Sequence, residues 1–139
     1  MHLDRAEALR RATEADHGVL ATLHPPRGAD LVPACFAIED GWVAIPIDSV
    51  KPKGSTALGR IRNLERDPHA TLLVEHWDPD DWSRLWWVRL LLLREEAPAE
   101  LRDRLEAGLR RRYAQYATAT FVELLTFRID HIGGWSASG

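Results

Sequence analysis

Lysine is almost missing from this chain. Only two of its 18 basic residues are lysines, Lys51 and Lys53. Cysteine occurs once, at Cys35, which excludes an internal disulfide and a cysteine-only zinc site. Charge of one sign is also lacking. A formal net charge of −3 over 139 residues leaves no general footprint for a polyanion, so nucleic acid is not an expected partner. No apolar run, Leu90 to Leu93 included, is long enough to span a bilayer, and no membrane partner is expected. Residues 2–17 are charged throughout and carry no secretory pattern, so the cytoplasm is the expected location. Six histidines form no i, i+4 pair or carboxylate-spaced set, and no metal site is expected. Ser-His-Asp arrangements, paired catalytic carboxylates and a glycine-rich dinucleotide fingerprint are all lacking, and no catalytic side chain can be named.

What is present is concentrated in two places. Both lysines lie in Asp48-Ser-Val-Lys-Pro-Lys-Gly-Ser-Thr56, where Pro52 favours an extended path for the preceding residue. Ser55 and Thr56 then lead into a predicted helix. Two flexible ammonium groups beside hydroxyls and free helix N–H groups suit a phosphate or another oxyanion. Arg60 and Arg62 lie on the polar side of that helix, within reach of the same ligand. The second concentration is aromatic: four of six tryptophans fall between Trp77 and Trp87.

Periodicity organises one domain, residues 1–139. Asp4 to Glu14 reads as an amphipathic helix, with Asp4 as N-cap and Glu7 completing a capping box. Strands are expected at Val19–His24, Leu31–Ile38 and Trp42–Ile47, the last two joined by a tight turn at Glu39-Asp-Gly41. Short loops make these an antiparallel meander. A helix from Thr56 to Glu65 follows, then strands at Ala70–Trp77 and Leu85–Leu93. A helix over Pro98–Arg112 presents Leu101, Leu105 and Leu109 on one side. A sixth strand, Phe121–Ile132, precedes a loose Gly133–Gly139 tail. Strands in this order, with helices after the third and fifth, suggest a small closed or split barrel. The fifth strand offers more apolar surface than a small barrel needs, which points to an interface.

The ordered set Leu31-Val-Pro-Ala-Cys-Phe36, Asp48-Ser-Val-Lys-Pro-Lys53, Arg62-Asn63-Leu64, Asp67-Pro68, Asp81-Trp-Ser-Arg-Leu-Trp-Trp-Val-Arg89 and Gly134-Trp135-Ser136 resembles the pyridoxamine 5′-phosphate oxidase-like flavin/deazaflavin split barrels. Among these it is most similar to the actinobacterial coenzyme F420-dependent branch. The resemblance implies a mainly β protein with α: a six-stranded antiparallel split β-barrel with flanking helices, assembled as a homodimer with two cofactor sites along its groove. It places the cofactor phosphate at Lys51 and Lys53. It lays Trp86, Trp87, Arg89 and Trp135 against the partner subunit's cofactor. One departure is Leu90-Leu-Leu-Leu-Arg-Glu-Glu96, where relatives have a glycine-containing hairpin.

The expected function is an oxidoreductase passing hydride between coenzyme F420 and a small organic substrate, with FMN as the alternative cofactor. A flavin, deazaflavin or haem binder without turnover is the non-enzymatic alternative. In the redox reading the cofactor carries the chemistry, and the proton donor is solvent or a tyrosine.

Overall fold

The computed structural model describes residues 1–48 and 55–138. Three α-helices and seven strands follow in chain order: α1 (Arg5–Glu14), β1 (Gly18–His24), β2 (Gly28–Ala34), β3 (Ala37–Glu39), β4 (Trp42–Asp48), α2 (Ser55–Arg66), β5 (His69–His76), β6 (Trp86–Arg94), α3 (Ala99–Arg112) and β7 (Phe121–Ser136). All seven strands form one sheet in the order β2-β1-β5-β6-β7-β4-β3, and every pairing is antiparallel.

The two edge strands, β2 and β3, are separated in the chain by Cys35 and Phe36 alone. That short a connection spans at most about 10 Å. The sheet must therefore curl until its edges nearly meet, and the barrel stays split along that seam. This corrects the expectation of six strands. The apolar run Leu31–Ile38 is not one strand of a meander. It breaks at Cys35-Phe36 as the chain leaves one edge and joins the other. The Asp40-Gly41 turn does form, with φ of 51° and 81°, the left-handed pair that a two-residue hairpin demands.

Strand alternation fills the barrel. Leu20, Leu72, Val88, Leu90 and Phe127 are fully buried, and Val74 and Leu92 are nearly so. Ile61 and Leu64 of α2 pack against this core. A second cluster holds α3 through Leu101, Leu105 and Leu109 against Ala37, Ala44 and Leu124. Asp4 caps α1 by accepting from the Glu7 N–H at 2.8 Å. The capping box is only half made, because the Glu7 carboxylate turns to Arg10 and Arg11 instead. Arg112, at the end of α3, donates to the carbonyl oxygens of Thr13, Glu14 and Ala15 and so terminates α1.

The expected loose tail is also corrected. Gly133 to Ser136 continue β7 and pair with β6, Trp135 lying opposite Trp87 and Ser136 opposite Trp86. Gly134 belongs there because the chain is tight, not free. A Cβ on it would sit 2.7 Å from the Trp87 carbonyl oxygen. The strand's other flank is held by the N-terminus, where Leu3 N–H donates to the Gly134 carbonyl and Ser136 N–H to that of Met1. Where the resemblance implies a glycine-containing hairpin, β6 runs on to Arg94 and Glu95-Glu96 lead toward α3.

Candidate functional site

The outer face of the sheet carries the candidate site. Register places Leu31, Ala21, Thr71 and Leu91 in one row across β2, β1, β5 and β6. Val19, Leu73 and Arg89 make the next row, and Glu75, Trp87 and Trp135 the one beyond. These residues alternate with the buried set in the barrel, so they point outward. Leu31, Leu73 and Leu91 remain 66%, 36% and 40% exposed. Leu31 and Leu73 line a groove of about 550 Å³, a size that suits a small-molecule ligand.

The groove is aliphatic at the β2 end and aromatic at the other, where Trp77, Leu85 and Trp87 form its walls. The Arg89 guanidinium lies 4.8 Å from the Trp87 ring centroid, a cation–π contact that leaves its N–H groups for other partners. Trp77 leans on Trp82 with centroids 5.8 Å apart. Asp81 folds that loop by accepting from the Ser83 N–H and hydroxyl, which hold its carboxyl below the usual range. Among the described residues, Glu75 and Arg89 are the only ionisable ones in the groove lining.

Trp87, Arg89 and Trp135 are neighbours on this outer face, Trp87 opposite Trp135 and Arg89 two residues further along β6. Trp86 does not join them. Strand alternation turns it to the opposite face, where it packs on the core under the Arg11 guanidinium at 5.5 Å and stacks with His76. Period-2 reading of Trp86-Trp87 could have separated the pair.

Lys51 and Lys53 lie outside the described residues, and so do the side chains of Ser55 and Thr56, whose backbone opens α2. Arg60 is half-buried and Arg62 exposed on that helix. Asn63, fully buried, anchors α2. Its amide donates to Thr22 Oγ1 at 3.0 Å and to Asp30 Oδ2 at 2.8 Å, and its carbonyl accepts from Arg66. The Asn63 amide, with Arg27, holds the Asp30 carboxyl below the usual range. Thr22 belongs to the inward-facing set, so α2 sits on the barrel's inner side while the groove lies outside. Within the chain the basic helix and the Trp87–Arg89–Trp135 group occupy opposite faces. Sequence reasoning missed other groove residues, among them Leu31, Leu73, Glu75 and Trp77. Their alternation along the strands is the signal that marks them.

Neither tyrosine reaches the groove. Tyr113 and Tyr116 pack behind α3, and burial pushes the Tyr113 hydroxyl up. Among the described residues no three His, Cys, Asp or Glu side chains gather as metal ligands. Also among them, no helix is long and apolar enough to cross a membrane.

No protein-family model matches the chain, and no curated protein does. Solved structures do match. One is an FAD-binding protein from Mesorhizobium loti, 18% identical, with a TM-score of 0.68 over 96% of this chain and 93% of that one. A candidate pyridoxamine 5′-phosphate oxidase from Corynebacterium glutamicum is 14% identical, with a TM-score of 0.59 over 98% of both chains. The haem storage protein HutZ of Vibrio cholerae is also 14% identical, with a TM-score of 0.61 over 92% of both. The chain thus has the split-barrel fold found in pyridoxamine 5′-phosphate oxidase-like proteins.

Proposed function

We propose that this protein is a homodimeric oxidoreductase that binds coenzyme F420 across the two protomers and passes hydride between it and a small organic substrate. The observation that carries the reading is the outer-face groove, with Trp87 and Arg89 at one end and Trp135 beside Trp87 on the neighbouring strand. It is the kind of surface a flat heterocycle with an anionic arm would occupy. Indoles Trp87 and Trp135 fit a ring face, and the Arg89 guanidinium fits negative charge. An FAD-binding protein of the same fold supports a flavin-type ligand. FMN is the alternative, and the basic set Lys51, Lys53, Arg60 and Arg62 favours the longer anion of the deazaflavin.

When bound, the deazaflavin supplies a hydride donor or acceptor carbon. The protein's own residues bind, orient and exclude water. Leu31, Leu73 and Leu91 are the surface that a second copy covers, and that cover dries the groove. Arg89 offsets developing negative charge beside Trp87. With both tyrosines behind α3, the proton comes from solvent.

Because Arg60 and Arg62 lie on the face opposite Arg89, a single site requires the helix of one protomer and the groove of the other. Co-expression tests this. Lys51→Ala/Lys53→Ala and Trp87→Ala/Arg89→Gln variants should each lose cofactor binding alone. A co-expressed mixture should recover it in part, since mixed dimers hold one intact site. No recovery would place the whole site in one protomer.

A further inference from the structure

The aromatic end of the groove holds a carboxylate that nothing in the described residues uses. Glu75 lines the groove opposite Trp87 in the β5–β6 register, with Trp77 two residues on. It makes no hydrogen bond or ion pair with any described residue, although Arg89 is its diagonal neighbour on the same face. Arg89 is instead laid over the Trp87 ring. The rim extends the negative charge. Asp78, Asp80 and Asp81 follow within the loop, against Arg84 alone, which stands 3.8 Å from Asp78. Trp77 and Trp82 are 55% and 66% exposed, well above what packing requires.

Glu75 is an exposed, unpaired carboxylate beside Trp77 and Trp87, in a groove whose other lining is apolar apart from Thr71 and Arg89, and it repels anions at this end. It attracts an organic cation twice, by charge and by the negative ring faces. We infer that this end of the groove takes a small apolar molecule bearing one protonated amine, its ammonium on Glu75 and its apolar body along Trp77, Leu85 and Trp87. On the reading proposed above this molecule is the substrate, with Arg89 and Trp135 left to the cofactor. The two ends then divide by charge sign: anion toward Arg89, cation toward Glu75.

The test uses three probes of one shape: 2-phenylethylamine, 2-phenylethanol and 3-phenylpropanoate, titrated by quenching of tryptophan fluorescence. The wild-type protein should bind the amine at least about tenfold more tightly than the alcohol, a difference of about 1.4 kcal/mol, and the carboxylate most weakly. Glu75→Gln should reduce the amine to the alcohol's affinity, and Glu75→Asp should keep part of the preference. Equal binding of amine and alcohol, no binding of any probe, or an amine preference that survives in Glu75→Gln would each overturn the inference. Cofactor titration of the same preparations is a separate readout. An amine preference without deazaflavin or flavin binding would keep the cation site and remove the oxidoreductase reading.

Discussion

Replacing Gly134 by alanine should destabilise this protein far more than the same change one residue earlier. The perturbation is one methyl group. At Gly134 it would meet the Trp87 carbonyl oxygen at 2.7 Å, Val88 Cγ2 at 3.0 Å and Leu3 Cδ1 at 3.1 Å. The first of these is backbone in the strand paired with it and cannot swing away. Relief requires β6 and β7 to part, at the place where Trp87 faces Trp135. Overpacking of this kind costs about 1–3 kcal/mol. In a chain of this size each kcal/mol lowers Tm by about 3–5 °C. At Gly133 the nearest atom is His131 Nε2 at 3.5 Å, an ordinary contact, and alanine there should shift Tm by less than about 2 °C. Neither glycine has a positive φ, so backbone strain does not enter the comparison. Thermal unfolding followed by circular dichroism measures both variants. Equal Tm values for Gly133→Ala and Gly134→Ala would refute the tight pairing of the last strand, and with it the fixed position of Trp135.

Lys51→Ala/Lys53→Ala should weaken cofactor binding by about 1.5–3 kcal/mol for each hydrogen bond lost to a charged group, with Tm unchanged; unaltered affinity in a calorimetric titration would contradict the phosphate assignment. Leu31→Glu/Leu73→Glu places two charges on the exposed outer face and should convert a dimer to a monomer in light scattering at micromolar concentration, whereas an unchanged dimer mass would move the interface elsewhere. The Glu7 carboxyl, hydrogen-bonded first to Arg10 and then to Arg11, is lowered from 4.5 to about 2. Its contribution to stability is therefore complete above pH 4.5 and is lost as pH falls toward 2. Glu7→Gln should flatten the pH dependence of Tm in that window, and an identical acid limb would contradict the pairing.

Much of the barrel is legible where local chemistry and tertiary structure agree. Asp40-Gly41 demands a hairpin because both residues must take positive φ. Leu101, Leu105 and Leu109 mark the buried side of α3 because their spacing is helical. The break at Cys35-Phe36 is not legible, because an apolar run has no local feature that says which sheet edge each half will join. Gly133-Gly134 misleads for a related reason. Glycine signals freedom and close approach alike, and only the neighbouring strand decides between them. Half of the candidate site follows from the aromatic and basic residues of the motif. Residues such as Leu31, Leu73, Glu75 and Trp77 become part of a candidate site only when β2, β1, β5 and β6 align their outward residues across the sheet.

The central claim is tested most directly by titrating the purified protein with coenzyme F420 and with FMN, following the fluorescence of each. Saturable binding of the deazaflavin, tighter than that of FMN and lost in Arg89→Gln, is the predicted result. Tighter binding of FMN would replace the cofactor, and binding of neither would contradict the proposed function.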